Sequence, residues 1–118
     1  MRGLGDLEAV VMDVLWRSAR PQSVRDVLTE VTQTRPLAYT TVMTVLDNLH
    51  RKGWVSRERR GRAYQYLPVS TRDEAATRAL RDLLASTGDA EGALLHFARS
   101  ASEGESELLR RGLEEQTD

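Results

Sequence analysis

Six basic side chains, Arg51, Lys52, Arg57, Arg59, Arg60 and Arg62, fall in a short stretch that holds one acid, Glu58. Guanidinium and ammonium groups at this density suit phosphate, which they bind through charge-assisted hydrogen bonds. Just upstream stand Thr40, Thr41, Met43, Thr44, Asp47 and Asn48. Threonine hydroxyls can bond base edges or phosphates, their methyls can pack on the thymine methyl, and an asparagine amide can pair with adenine. Asp47 would repel phosphate, so it is expected to accept from cytosine or to pair with a neighbouring arginine. No arginine lies between Thr40 and His50, which argues against strong guanine readout from this segment. The chemistry on offer is groove reading by small polar groups beside phosphate binding by arginines.

A helix followed by a hairpin would position these groups. Val42, Val45, Leu46 and Leu49 recur at the spacing of one helix face. The opposite face then carries Thr40, Thr44, Asp47 and Arg51, flanked by Met43 and Asn48. Gly53 follows Arg51 and Lys52, where a left-handed helix cap is needed. Trp54-Val55 opens a strand, Arg60-Gly61-Arg62 makes a turn, and Ala63–Leu67 returns before Pro68. Arg57 and Arg59 share one face of their strand, so only some of the arginines reach one backbone together. Trp54, Tyr64 and Tyr66 read as packing for the small sheet. A polar-faced helix with a basic two-stranded wing fits the major groove of double-stranded DNA and its flanking phosphates.

Two further helices precede this unit. Leu7, Val10, Val11, Val14 and Leu15 form the first stripe, with Asp6 as its expected N-cap and Trp16 closing it on the core. Arg20-Pro21-Gln22 breaks that helix and offers a short strand. Ser23 and Asp26 then resemble a capping box before Val24, Val27, Leu28 and Val31. The order helix, helix, helix, hairpin is a winged helix-turn-helix, expected over residues 1–68.

After Pro68 the pattern is helical only. Ser70 with Asp73 can cap a helix whose Ala76, Ala79, Leu80, Leu83 and Leu84 share a face. Ser86-Thr87-Gly88 ends it, and a segment from Asp89 to Arg99 follows with Ala90, Ala93, Leu94, Phe97 and Ala98 on one side. Ser102 and Glu105 form a capping box ahead of Leu108, Leu109 and Leu113. Short amphipathic helices of this kind need a partner for their stripes. The same region of a second chain, related by a two-fold axis, supplies one. Residues 69–118 are therefore expected to be a helical dimerisation region, with Leu80, Leu83, Leu84, Leu94, Phe97, Leu108, Leu109 and Leu113 at the interface. The fold class is mainly α with a small β-wing.

Charge divides along the same boundary. The 118 residues carry net charge −1, but residues 1–68 hold 11 Lys/Arg against 7 Asp/Glu, while 69–118 hold 6 against 11. The positive half is the one with the wing, as phosphate binding requires. With no cysteine, disulfides, thiolate metal sites and cysteine nucleophiles are excluded. The two histidines, His50 and His96, stand apart and lack a nucleophile arrangement; neither an enzyme, a cofactor nor a metal is expected. No apolar run reaches membrane-spanning length and no leader pattern is seen, so a cytoplasmic location is expected. Two other readings fit the residues: a winged-helix module that binds proteins, against which the arginine wing argues, and a regulator switched by a small ligand.

In LEAVVMDVLW, YTTVMTVLDNLHRKGWV, RRGRAYQYLPV and GALLHFARS, in that order and spacing, the chain resembles the BlaI/MecI penicillinase-repressor family of winged-helix regulators. The resemblance covers nearly the whole chain. It implies a homodimer on a two-fold-symmetric operator, repressing transcription, with the C-terminal helices as the dimer element and Thr41 and Thr44 at the DNA. It also implies induction by a membrane-bound sensor metalloprotease that leads to cutting at an Asn-Phe bond. The matching bond here is His96-Phe97, with the aromatic kept and the asparagine replaced. A copper-responsive branch of the family uses C-terminal cysteines, which this chain lacks.

Overall fold

The computed structural model describes residues 4–116. Three helices come first: α1 (Asp6–Arg17), α2 (Val24–Val31) and α3 (Tyr39–Arg51). An antiparallel hairpin of β1 (Val55–Arg60) and β2 (Ala63–Pro68) follows, and then α4 (Arg72–Ser86), α5 (Ala90–Ser100) and α6 (Glu103–Glu115). Two compact units are present, one ending at Leu80 and the other starting at Arg81, so the division falls within α4. Among the described residues no helix is long and apolar enough to cross a membrane.

The core of the first unit is built from the expected stripes. Val11, Met12, Val14 and Leu15 of α1, Val27 and Val31 of α2, and Val42, Val45, Leu46 and Leu49 of α3 are buried together with Trp54, Val55 and Tyr66. Ridges spaced three and four residues apart bring the three helices into one apolar cluster. Leu7, Val10, Val24 and Leu28 pack on its rim. Trp16 stands edge-on to Trp54 at 6.3 Å, and its indole donates to the Ser70 carbonyl at 3.0 Å.

Caps define the helix ends, in places one residue from where they were expected. Gly5, not Asp6, precedes α1, and its amide donates to Glu8 Oε1 at 2.8 Å. Asp6 lies inside the first turn, where an acid still faces the positive helix end. The Ser23–Asp26 box caps α2 from both sides, at 3.1 and 3.0 Å. Likewise Ser102 and Glu105 cap α6. Thr71 and Glu74, rather than Ser70 and Asp73, form the box that opens α4. That shift leaves Ser70 free to offer its carbonyl to Trp16, and it turns Ala75, not Ala76, into the core of the first unit.

At the end of α3, Gly53 takes φ 84°. The Trp54 amide reaches the Leu49 carbonyl at 2.9 Å and the Gly53 amide reaches that of His50 at 3.1 Å, a Schellman closure that needs glycine at this point. The hairpin pairs Arg60 with Ala63 across the two-residue turn Gly61-Arg62. Positive φ at Gly61 alone is the pattern of a type II′ turn, whose twist suits the strands it joins. The short strand offered by Gln22 is a single bridge to Tyr66, with bonds of 3.0 and 2.8 Å.

In the second unit none of the described side chains is buried. Leu83, Leu94, Leu95, Phe97, Leu108, Leu109 and Leu113 are all exposed in the single chain. So is Leu80, at the end of the first unit, whereas Leu84 is half-buried.

Candidate nucleic-acid interface

Burial of Val42, Val45, Leu46 and Leu49 turns the opposite face of α3 outward by helix geometry alone. Thr40, Met43, Thr44 and Asp47 are exposed there, and Thr41 and Asn48 are half-exposed at its margins. Tyr39, which the sequence reading passed over, is exposed in the first turn of this face. Arg25 of α2 lies over its ring at 5.6 Å.

The six basic residues do not form one equivalent set. Arg60 and Arg62 flank the tip of the wing and are exposed. Arg59 is exposed too, and its Nε donates to the Gly61 carbonyl at 3.3 Å, bracing the turn. Arg51 donates to Asn48 Oδ1 at 2.8 Å, one helical turn back. Lys52 turns away to Glu8 of α1 at 2.7 Å, with both side chains largely covered. Burial works against the charge on Glu8, but hydrogen bonds from Lys52 and from the Gly5 amide outweigh it and hold the carboxyl below its ordinary range. This pair ties the C-terminal end of α3 to the start of α1.

Arg57 is held by several partners at once. Its Nη1 donates to Asp47 Oδ1 at 3.0 Å, and the guanidinium lies 4.1 Å from the centre of the Tyr64 ring. Register places Arg57 opposite Tyr66 and Arg59 opposite Tyr64, so the four share one face of the hairpin, as strand alternation requires. Tyr66 hydrogen-bonds Arg57 and is the main cause of the raised pKa of the guanidinium. Burial pushes the Tyr66 hydroxyl up, with the bond to Arg57 pulling the other way.

Of the three aromatics read as sheet packing, Trp54 and Tyr66 are buried, but Tyr64 is 38% exposed. Tyr64 lies nearer the turn, beyond the reach of the helical core, and carries arginine on its face instead. Between the N-terminal end of α2, the outward face of α3 and β2 runs a cleft of about 540 Å³, lined by Arg25, Tyr39, Met43, Asp47, Arg62 and Tyr64 among others. Sequence periodicity finds each of these elements, but not that α2 contributes to the rim; that depends on how the helices cross. Among the described residues no group of three or more His, Asp or Glu side chains is placed to hold a metal ion.

Three helices followed by a basic hairpin, with the third helix presenting a polar face, define a winged helix-turn-helix. The model of the penicillinase repressor family matches residues 4–115. Over 115 residues the chain is 45% identical to the transcriptional regulator BlaI of Mycobacterium tuberculosis, in two strains, covering 95% of this chain and 83% of that protein. The chain belongs to the penicillinase repressor family, a family of regulators and not of enzymes. The solution structure of the DNA binding domain of the repressor BlaI is similar, at 26% identity and a TM-score of 0.55, over 63% of this chain and 93% of that one. A MarR family protein from Bacillus stearothermophilus shares the fold at 16% identity and a TM-score of 0.52, over 98% and 74% of the two chains.

Proposed function

We propose that this protein is a cytoplasmic transcriptional repressor that binds double-stranded operator DNA as a homodimer. The observation that carries the reading is the exposed row Thr40, Met43, Thr44 and Asp47 on α3 beside the exposed Arg59, Arg60 and Arg62 of the wing. In this reading residues 1–68 bind DNA, with Thr40, Thr41, Met43, Thr44, Asp47 and Asn48 along the groove and the arginines on the backbone. Specificity per half-site is modest, because the middle of the helix offers hydroxyls and one amide, with no arginine between Thr40 and His50 to read guanine. Affinity comes from phosphate contacts and from two half-sites bound at once.

Residues 69–118 dimerise through Leu80, Leu83, Leu84, Leu94, Phe97, Leu108, Leu109 and Leu113. Exposure of all of these but the half-buried Leu84 in the single chain supports this, since large apolar side chains left in water in such number mark an interaction site. Induction proceeds by cutting at His96-Phe97, through a pathway begun by a membrane-bound sensor metalloprotease. That bond lies within α5, and a protease needs extended backbone, so cutting requires local opening of the helix. Loss of the linked half-sites then removes the effective-concentration advantage of the dimer.

The test is fluorescence anisotropy on labelled DNA from immediately upstream of the protein's own gene, against scrambled DNA, across a salt series. Three phosphates neutralised per subunit give a dimer slope of about −5 in log K against log salt. Binding that prefers the upstream fragment with such a slope is expected. Absence of binding even at low salt would leave the winged helix as a protein-interaction module.

A further inference from the structure

Arg57 sits among the basic residues of the wing but is placed unlike its neighbours. Its side chain is 26% exposed; Tyr64 covers one face of the guanidinium, and Asp47 and Tyr66 take up donors at its edge. Asp47 stands on the outward face of α3, so the ion pair joins the groove-facing helix directly to the first strand of the wing. A two-stranded hairpin has little rigidity of its own, and its tip at Gly61 lies beyond the helical core. Whatever holds its base against α3 sets where Arg60 and Arg62 point.

We propose that Asp47 and Arg57 are a positioning pair: Arg57 fixes the wing on the recognition helix instead of binding phosphate, and Asp47, by retaining Arg57, keeps the interface selective for sequence. The inference rests on the DNA-binding reading given above. A retained arginine adds no counterion release, since only cations that neutralise phosphate contribute to the salt slope. Freed from Asp47, the same guanidinium becomes a further backbone ligand. It then strengthens binding to every sequence alike, because phosphate contacts carry no sequence information.

The experiment compares Asp47→Asn, Arg57→Met, the double variant and Arg60→Met with the unaltered protein, on the preferred fragment and on scrambled DNA across a salt series. Arg57→Met is expected to leave the slope unchanged and to lower the ratio of specific to non-specific affinity about fivefold or more. Asp47→Asn is expected to steepen the dimer slope by about 2 and tighten binding to scrambled DNA. In the double variant that steepening disappears. Steepening that persists without Arg57 would mean that Asp47 acts only by its own repulsion of phosphate, and would overturn the proposal. A slope flattened by Arg57→Met to the extent seen for Arg60→Met would overturn it as well, by making Arg57 a phosphate ligand. Arg57→Lys, which keeps the charge but loses the fork and the stacked plane, serves if the methionine variant fails to fold and should lower the ratio in the same way. An unaltered protein with no sequence preference would refute the DNA-binding reading itself; a selective protein whose variants all match it would refute only the pair.

Discussion

Single residues differ here in what they are free to do. Thr44 is exposed on α3 with no side-chain partner among the described residues to hold it back from a base, so Thr44→Ala should alter sequence preference while leaving binding to scrambled DNA as it was. Competition between the preferred fragment and point-substituted versions of it reads this out; equal weakening on all sequences would remove Thr44 from base reading. Glu8 is committed elsewhere, to Lys52 and the Gly5 amide. Its carboxyl ionises below the ordinary range in the folded chain, so its contribution is complete above that range and fades as pH falls through the lowered value. Glu8→Gln should therefore cost about 2 kcal/mol at pH 7, with the gap to the unaltered protein closing as pH falls below the lowered ionisation range of Glu8. Urea midpoints followed from neutral pH into acid measure it. Nothing in the spacing of the sequence links Glu8 to Lys52, since they meet only when α1 lies across the end of α3.

At the level of elements, the stops and starts of the chain carry much of the information. Gly53 has open space around the position a Cβ would take, yet its φ is 84°. Gly53→Ala is thus a test of backbone strain alone, expected to lower stability by about 1–2 kcal/mol in urea denaturation. The three helix stripes, the Gly53 closure and the turn at Gly61 were legible because each is a local pattern read against a fixed period. Caps were legible to within a residue: competing Ser, Thr and Asp side chains at 70–74 all satisfy the motif, and only the indole of Trp16 on the Ser70 carbonyl decides among them. The wing was legible as a basic hairpin. The division of labour among its arginines was not, because the Tyr64 stack is a diagonal contact across the strands and the bond to Asp47 crosses between elements.

For the molecule as a whole, the two units are stabilised differently. The first has a buried core of its own, whereas the second exposes leucines along each of its helices. Leu94→Asp combined with Leu113→Asp should make the protein monomeric by sedimentation velocity without loss of fold in the first unit. Affinity for the full operator should then fall by about a hundredfold or more, and affinity for an isolated half-site should stay the same. The amphipathic pattern shows in sequence that these helices want a partner; which surface meets which is a matter of three-dimensional register that no linear period encodes. Both tryptophans and all three tyrosines stand before residue 67, with Trp16 against Trp54 in the first core. The helical unit, whose aromatic residue is Phe97, is consequently dark in tryptophan and tyrosine emission. Melting followed by tryptophan fluorescence reports the winged helix alone, while far-ultraviolet circular dichroism sums both units, so the offset between the two curves isolates the melting of a region that carries neither tryptophan nor tyrosine.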